Sequence, residues 1–243
     1  MEIFPHKPTK ETLLLTDSFY FLCHSELSCF NSCCRNKHLP LTPYDVLRLK
    51  RGLNLHSDDF LSRYTLYRID ENSGFPVISL KMENTGDKPC PFVSDSGCLV
   101  YANRPSACRL YPLGRASRIT ENGTPEAFFF RLDTPNCLGI KEETQWKVTD
   151  WIENQGLGPY LEWNDKMGSI LFHPKREKGK PLSQGQIQKI IVACYNLDVF
   201  REFVFKTEFL TKVEIDNNLV SKAEQDDEPL LEIGLIYLHR FLF

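Results

Sequence analysis

Cysteine placement constrains this chain more than any other feature. Eight of its nine cysteines lie between residues 23 and 137, in two batches separated by 55 residues without one. The first batch runs Cys23-His24-Ser25-Glu26-Leu27-Ser28-Cys29-Phe30-Asn31-Ser32-Cys33-Cys34. The second comprises Cys90 and Cys98, then Cys108 within Arg104-Pro105-Ser106-Ala107-Cys108-Arg109, with Cys137 following alone. Soft thiolates gathered this way suit zinc or iron–sulfur chemistry. A fold that uses them must bring distant stretches of chain together.

How the cysteines read depends on the compartment. The N-terminus, Met1-Glu2-Ile3-Phe4-Pro5-His6-Lys7-Pro8, lacks the basic-then-apolar pattern of a signal peptide, and Leu13-Leu14-Leu15 is too short to span a bilayer. A cytoplasmic chain is expected, and in a reducing cytosol clustered thiols point to metal or catalysis rather than disulfides. A net charge of -3 supplies no global field to draw nucleic acid or an anionic membrane, so neither is an expected partner. At 243 residues the chain is long enough for a real core, as one large domain or two small ones.

Local signals divide the chain into a loop-rich first part and a helical second part. Residues 1–22 read as a polar lead-in followed by the apolar run Phe19-Tyr20-Phe21-Leu22, able to pair as a strand or pack over the first cysteines. Thr42-Pro43-Tyr44-Asp45 is a helix start: Thr42 caps, Pro43 suits the first helical position and Asp45 completes a capping box. Val46, Leu49 and Leu53 give that helix a buried stripe, and Gly52 ends it. Ser57 caps a second short helix with acids in its first turn. Residues 76–82 alternate as a strand, 90–112 are dominated by proline and glycine turns, and Phe128–Leu132 forms a further strand. A helix over Glu142–Asn154 is broken by Gly156 and Gly158, and another starts at Pro159. Ile187, Ile190, Ile191 and Cys194 fall at i, i+3, i+4 and i+7, which makes Cys194 a core thiol rather than a ligand. Asp226-Asp227-Glu228 opens a final helix with an apolar stripe of Leu231, Leu235, Leu238 and Leu242. Leu230, Tyr237 and Phe241 widen that stripe, which the same chain or a partner must cover.

Spacing narrows the metal chemistry. One turn presents two sulfurs to a single zinc when two to four residues separate them, which only Cys29-x3-Cys33 satisfies. Cys23-x5-Cys29, Cys90-x7-Cys98 and Cys98-x9-Cys108 are looser and lean toward an iron–sulfur cluster. Adjacent Cys33 and Cys34 suit different irons or neighbouring sites better than one ion. Arg35, Arg104 and Arg109 stand beside cysteines and could offset thiolate charge. His24 and His38 are near enough to ligate zinc but are outnumbered by thiols. No phosphate loop, paired-histidine protease motif or nucleophile elbow is present.

At these residues the sequence resembles the YkgJ-type cysteine-cluster family, described as zinc- or iron-chelating. The resemblance is carried by Cys29-x3-Cys33-Cys34-Arg35 and Leu41-Thr42-Pro43-Tyr44-Asp45. It is carried above all by Cys90-Pro91-Phe92 … Gly97-Cys98-x2-Tyr101-x2-Arg104-Pro105-x2-Cys108-Arg109-x-Tyr111-Pro112. Compact members hold their first two cysteines closer than Cys23 and Cys29 are here. The family includes a flagellin lysine N-methylase, so the resemblance also implies an iron–sulfur-dependent methyl-transfer enzyme as an alternative, although no S-adenosylmethionine motif is recognisable.

The expectation is therefore an α+β protein: a loop-rich, metal-nucleated cysteine domain over residues 1–172, a linker over 173–185, and a helical extension over 186–243 packing on it. Cys23, Cys29, Cys33, Cys34, Cys90, Cys98, Cys108 and Cys137 are the candidate metal ligands, with Cys23 and Cys137 at the margin. They would hold an iron–sulfur cluster or zinc in a redox or metal-handling role. A third reading is a zinc-stapled interaction module that meets a protein partner through the C-terminal helix.

Overall fold

The structure, a computed structural model, describes residues 8–71, 73–119, 125–175 and 181–243. The lead-in before Pro8 and residues 176–180 of the expected linker lie outside the described residues. The fold is α+β: among the described residues, ten short strands form four small sheets of two or three strands, accompanied by ten α-helices. No helix among these residues is long and apolar enough to cross a membrane. The chain divides into two compact units, one ending at Leu39 and resuming over Leu80–Glu162, the other built from Pro40–Ser79 and Trp163–Phe243.

The first unit carries the eight clustered cysteines. Its largest sheet pairs Pro125–Leu132 with both Pro8–Leu13 and Leu113–Ile119. The strand expected at Phe128–Leu132 is its centre, while both partners lacked a clear alternating signal. Gly114 lies against the ring of Phe130, which fills the space a Cβ would need. The apolar run before Cys23 does pair: Ser18–Tyr20 runs antiparallel to Gln145–Lys147. That pairing explains a difference from expectation. The helix expected over 142–154 begins only at Val148, because the preceding residues are drawn into a strand.

Trp151 anchors this region, with the rings of Phe19, Phe21 and Trp146 packed edge-on at 5.9, 5.5 and 5.3 Å between centroids. Its indole N–H donates to the Leu110 carbonyl at 3.1 Å, and that of Trp146 donates to Phe21 at 3.0 Å. Both indole donors are therefore satisfied, as the burial of Trp151 requires. The turn-rich stretch after Cys90 contains two elements not anticipated: a tight hairpin of Val93–Ser94 with Gly97–Cys98, and the short helix Ser106–Leu110 bearing Cys108.

The second unit is mostly helical. Helix Pro43–Gly52 opens as its sequence predicts, with Pro43 in the first turn and reciprocal capping between Thr42 and Asp45. Tyr44 stacks on Trp163 at 5.8 Å and donates to Glu228 at 3.1 Å. Ser57 is not the cap of the next helix. It is the first residue of helix Ser57–Tyr64, and its N–H donates to Asp198 at 2.6 Å. Helix Gln184–Cys194 starts with a capping box of Ser183 and Gln186 and buries Cys194 completely.

Helix Asp227–Leu242, capped by Asp226, hides Leu230, Leu231, Ile233, Leu235 and Leu238 against helices of its own unit. Gly234 allows the closest approach, since a Cβ there would collide with the Ala193 carbonyl. At the head of this helix the buried Lys50 ammonium lies 3.0 Å from Asp198 and 3.1 Å from Asp227, with Arg201 2.6 Å from Asp227.

Candidate metal centre

The backbone brings the two cysteine batches side by side. The chain leaves the first unit at Leu39 and returns at Leu80, and the Leu80 N–H donates to the Leu39 carbonyl at 2.8 Å. The cysteine-free segment is therefore largely an insertion whose ends are stitched together. Close by, the Cys90 N–H donates to the Cys34 carbonyl at 2.7 Å and the Asn36 N–H to the Lys88 carbonyl at 2.8 Å. These bonds make an antiparallel bridge between Arg35 and Pro89. Asn31 adds a side-chain bond to the Ser94 carbonyl at 3.0 Å, and the Phe30 ring lies against Gly97, whose φ of +119° suits glycine.

Cys137 meets the first batch on another side. The Leu22 N–H donates to Gly139 at 3.0 Å, and a Cβ on Gly139 would come within 2.6 Å of the Leu22 carbonyl. Glycine is needed there for the two backbones to approach. One residue along, the Leu138 N–H donates to the Cys29 sulfur at 3.2 Å.

Main-chain amides address other sulfurs as well. The Phe92 N–H faces the Cys90 thiol and the Val100 N–H faces the Cys98 thiol, each two residues beyond its cysteine. Donors aimed at sulfur favour the thiolate. Burial nevertheless outweighs them in the absence of a cation, so the Cys90 and Cys98 thiols are pushed above their ordinary range. Cys23 rises to about 11 through burial and the charges of Cys33, Cys137 and Cys29.

Cys33 and Cys34, on the short 3₁₀ turn Ser32–Cys34, hold their sulfurs 3.9 Å apart, within reach of a hydrogen bond. The contact between the two sulfurs is the main reason Cys33 falls to about 7, with help from Lys37, while the same contact and burial push Cys34 far upward. Cys33 is central: its charge is felt at Cys23, Cys34, Cys90, Cys98 and Tyr111. Cys34 in turn feels Cys108 and Cys90.

No disulfide links the nine cysteines, and Cys23, Cys33 and Cys108 are exposed. Among the described residues, no three His, Cys, Asp or Glu side chains are gathered tightly enough to grip one ion. The donor set nonetheless fits a thiophilic metal, because every member is a thiol and several already receive amide hydrogen bonds.

The three arginines differ in what they do. Arg35 pairs with Asp87 at 3.0 Å on the surface. Arg109 is held by the carbonyls of Arg104, Gln155 and Ala102 and lies over the Tyr160 ring, which makes it a brace for the loop. Arg104 sits 3.7 Å over the Tyr101 ring and donates to the Tyr101 carbonyl and Gln155. Its charge is the one that reaches Cys98.

His24 turns its two ring nitrogens toward Glu26 and Glu142, at 3.9 and 3.8 Å. Tyr111 is a site residue that spacing alone did not single out. Burial raises its phenol, and the neighbouring Cys137 thiol raises it further. Cys194 belongs to the other unit and is fully buried there, with its thiol pushed up to about 12 by burial alone.

Residues 22–144 match a family model named CxxCxxCC, described as "Putative zinc- or iron-chelating domain". The match spans half of the chain and all eight clustered cysteines. The name spells two residues between its first cysteines, where this chain has five and then three. No curated protein and no solved structure matches the chain.

Proposed function

The chain belongs to the CxxCxxCC family, and from that premise we propose that its cysteine-rich unit is a thiolate centre for iron, held as an iron–sulfur cluster. One observation carries this reading: main-chain amides are directed at the sulfurs of Cys29, Cys90 and Cys98. A cysteine that merely fills a core needs no such donor, as Cys194 illustrates with burial its only perturbation. A sulfur supplied with donors is prepared to carry charge, and a bound cation supplies the remaining stabilisation.

The residues that would hold the group are Cys29, Cys33, Cys34, Cys90, Cys98 and Cys108, with Cys23 and Cys137 completing the set. The group supplies electron transfer or Lewis acidity when bound. This chain's own residues hold the thiolates, aim amides at them, and place the Arg104 cation beside Cys98. Loose spacing between the cysteines favours a cluster over a single zinc.

The test is anaerobic purification followed by absorption spectroscopy and elemental analysis. Iron with inorganic sulfide and a broad visible band is expected. Colourless protein carrying stoichiometric zinc would replace the cluster with a structural metal, and protein with no bound metal after loading would overturn the thiolate centre altogether.

A further inference from the structure

Two arginines of the first unit are buried without a countercharge. Arg104 and Arg109 are each 8% exposed. Their hydrogen bonds run to neutral acceptors: the Tyr101 carbonyl and the Gln155 side chain for Arg104, and the carbonyls of Arg104, Gln155 and Ala102 for Arg109. Among the described residues, neither guanidinium forms an ion pair with a carboxylate, although buried charges are ordinarily paired.

The bonds around these arginines leave donors over. A guanidinium can only donate, so the Gln155 atom that meets Arg104 is its oxygen. The Gln155 amide nitrogen then donates to the Asn154 side-chain oxygen at 2.8 Å, and the Asn154 amide nitrogen is left as a donor. A guanidinium carries five N–H groups. Arg104 spends two of them and Arg109 three. One face of each is covered by a ring, Tyr101 at 3.7 Å and Tyr160 at 4.7 Å from the centroid. What remains is the N–H edge, the planar fork that fits a carboxylate or a phosphate.

Both arginines line a pocket of about 320 Å³, together with Tyr101, Glu153, Asn154 and Gln155. We propose that this pocket binds a small phosphate- or carboxylate-bearing molecule, its oxyanion held by Arg104 and Arg109. The carbonyls that brace the two side chains fix the fork in advance, so little order is lost on binding. Glu153, exposed on the same lining, opposes an anion and weakens its binding. The site is separate from the thiolates and does not depend on which metal they hold.

The test is calorimetric titration of the full-length protein, as purified, with inorganic phosphate and in a second arm with succinate, at matched ionic strength set by chloride. Saturable binding is expected in at least one arm, and the arm that binds identifies the oxyanion. Arg104→Gln should weaken it at least about tenfold. Glu153→Gln should tighten it and Asn154→Ala should weaken it, whereas the exposed Arg35→Gln should match the wild type. If circular dichroism shows that Arg104→Gln does not fold, the exposed Glu153 and Asn154 variants carry the test. Absence of binding in both arms at millimolar concentrations would overturn the proposal. So would binding that Glu153→Gln and Asn154→Ala leave unchanged, since the two arginines would then serve as loop braces alone.

Discussion

Removing the metal should let the seam between the cysteine batches open far more often while leaving the helical unit closed. The seam is held by three hydrogen bonds: Cys90 N–H to Cys34, Asn36 N–H to Lys88, and the Asn31 amide to Ser94. At about 1 kcal/mol net each they contribute about 3 kcal/mol, and the exposed Arg35–Asp87 pair adds little. Against them stands loop closure. With Leu39 and Leu80 already stitched, the effective loop is about a dozen residues, and closing it costs about 2 kcal/mol. The seam alone is therefore favoured by about 1 kcal/mol, which limits protection to about fivefold.

Structural thiolate–metal binding contributes about 10 kcal/mol or more, enough to make seam opening as rare as global unfolding. Hydrogen exchange resolved by mass spectrometry should show the amides of Asn36 and Cys90 strongly protected in metal-loaded protein. After anaerobic chelation they should lose at least about a hundredfold of that protection. Amides of helix Asp227–Leu242 should hold theirs, since their burial involves no cysteine of the cluster. Unchanged protection at Asn36 and Cys90 after complete metal removal would refute the reasoning.

Three further outcomes follow from the helical unit. Lys50→Met leaves Asp198 and Asp227 without their shared buried cation and should destabilise the unit by about 2–4 kcal/mol in urea melts, with metal content unchanged. Gly234→Ala drives a methyl into the Ala193 carbonyl and should cost about 1–3 kcal/mol, read as a lowered thermal midpoint. Burial alone would raise the Asp198 carboxyl, but the Ser57 N–H and hydroxyl together with Lys50 hold it below the usual range. Its contribution is thus present above the unfolded carboxylate pKa and is lost as pH falls through the folded one. Stability measured by denaturant titration should decline below about pH 4, and less steeply in Asp198→Asn.

The sequence was most informative where one local rule acted alone. Thr42, Pro43 and Asp45 form the capping box their order predicts, because cap chemistry needs only four consecutive residues. Cys194 is buried where its helical stripe places it. Elements made by distant pairing were less visible. Gln145–Lys147 is a strand because Ser18–Tyr20 lies beside it, and nothing within those three residues announces that partner. Ser57 has the residue type of a cap, yet Asp198, 141 residues away, takes its amide and moves the helix start. The amide on Cys29 comes from Leu138, which no spacing rule connects to the first batch.

The long gap between cysteine batches also has a different meaning in three dimensions. From sequence, joining residues 34 and 90 looks like the closure of a 55-residue loop that only metal could offset. The strand pair of Pro40–Leu41 with Pro76–Leu80 closes most of it beforehand, since Pro40 faces Ser79 and the Leu80 N–H reaches Leu39. What metal must still organise is local: the orientation of side chains on turns whose backbone is already set. Proline and glycine between residues 89 and 112 serve that setting, and the left-handed Gly97 turns the hairpin so that Cys98 pairs with Val93. Leu99 then bonds back to the Phe92 carbonyl, while the amides of Phe92 and Val100 remain available to the two sulfurs. The same turn therefore fixes both the ligand positions and their hydrogen-bond donors. Loosening it should weaken metal binding even in a variant that keeps every cysteine.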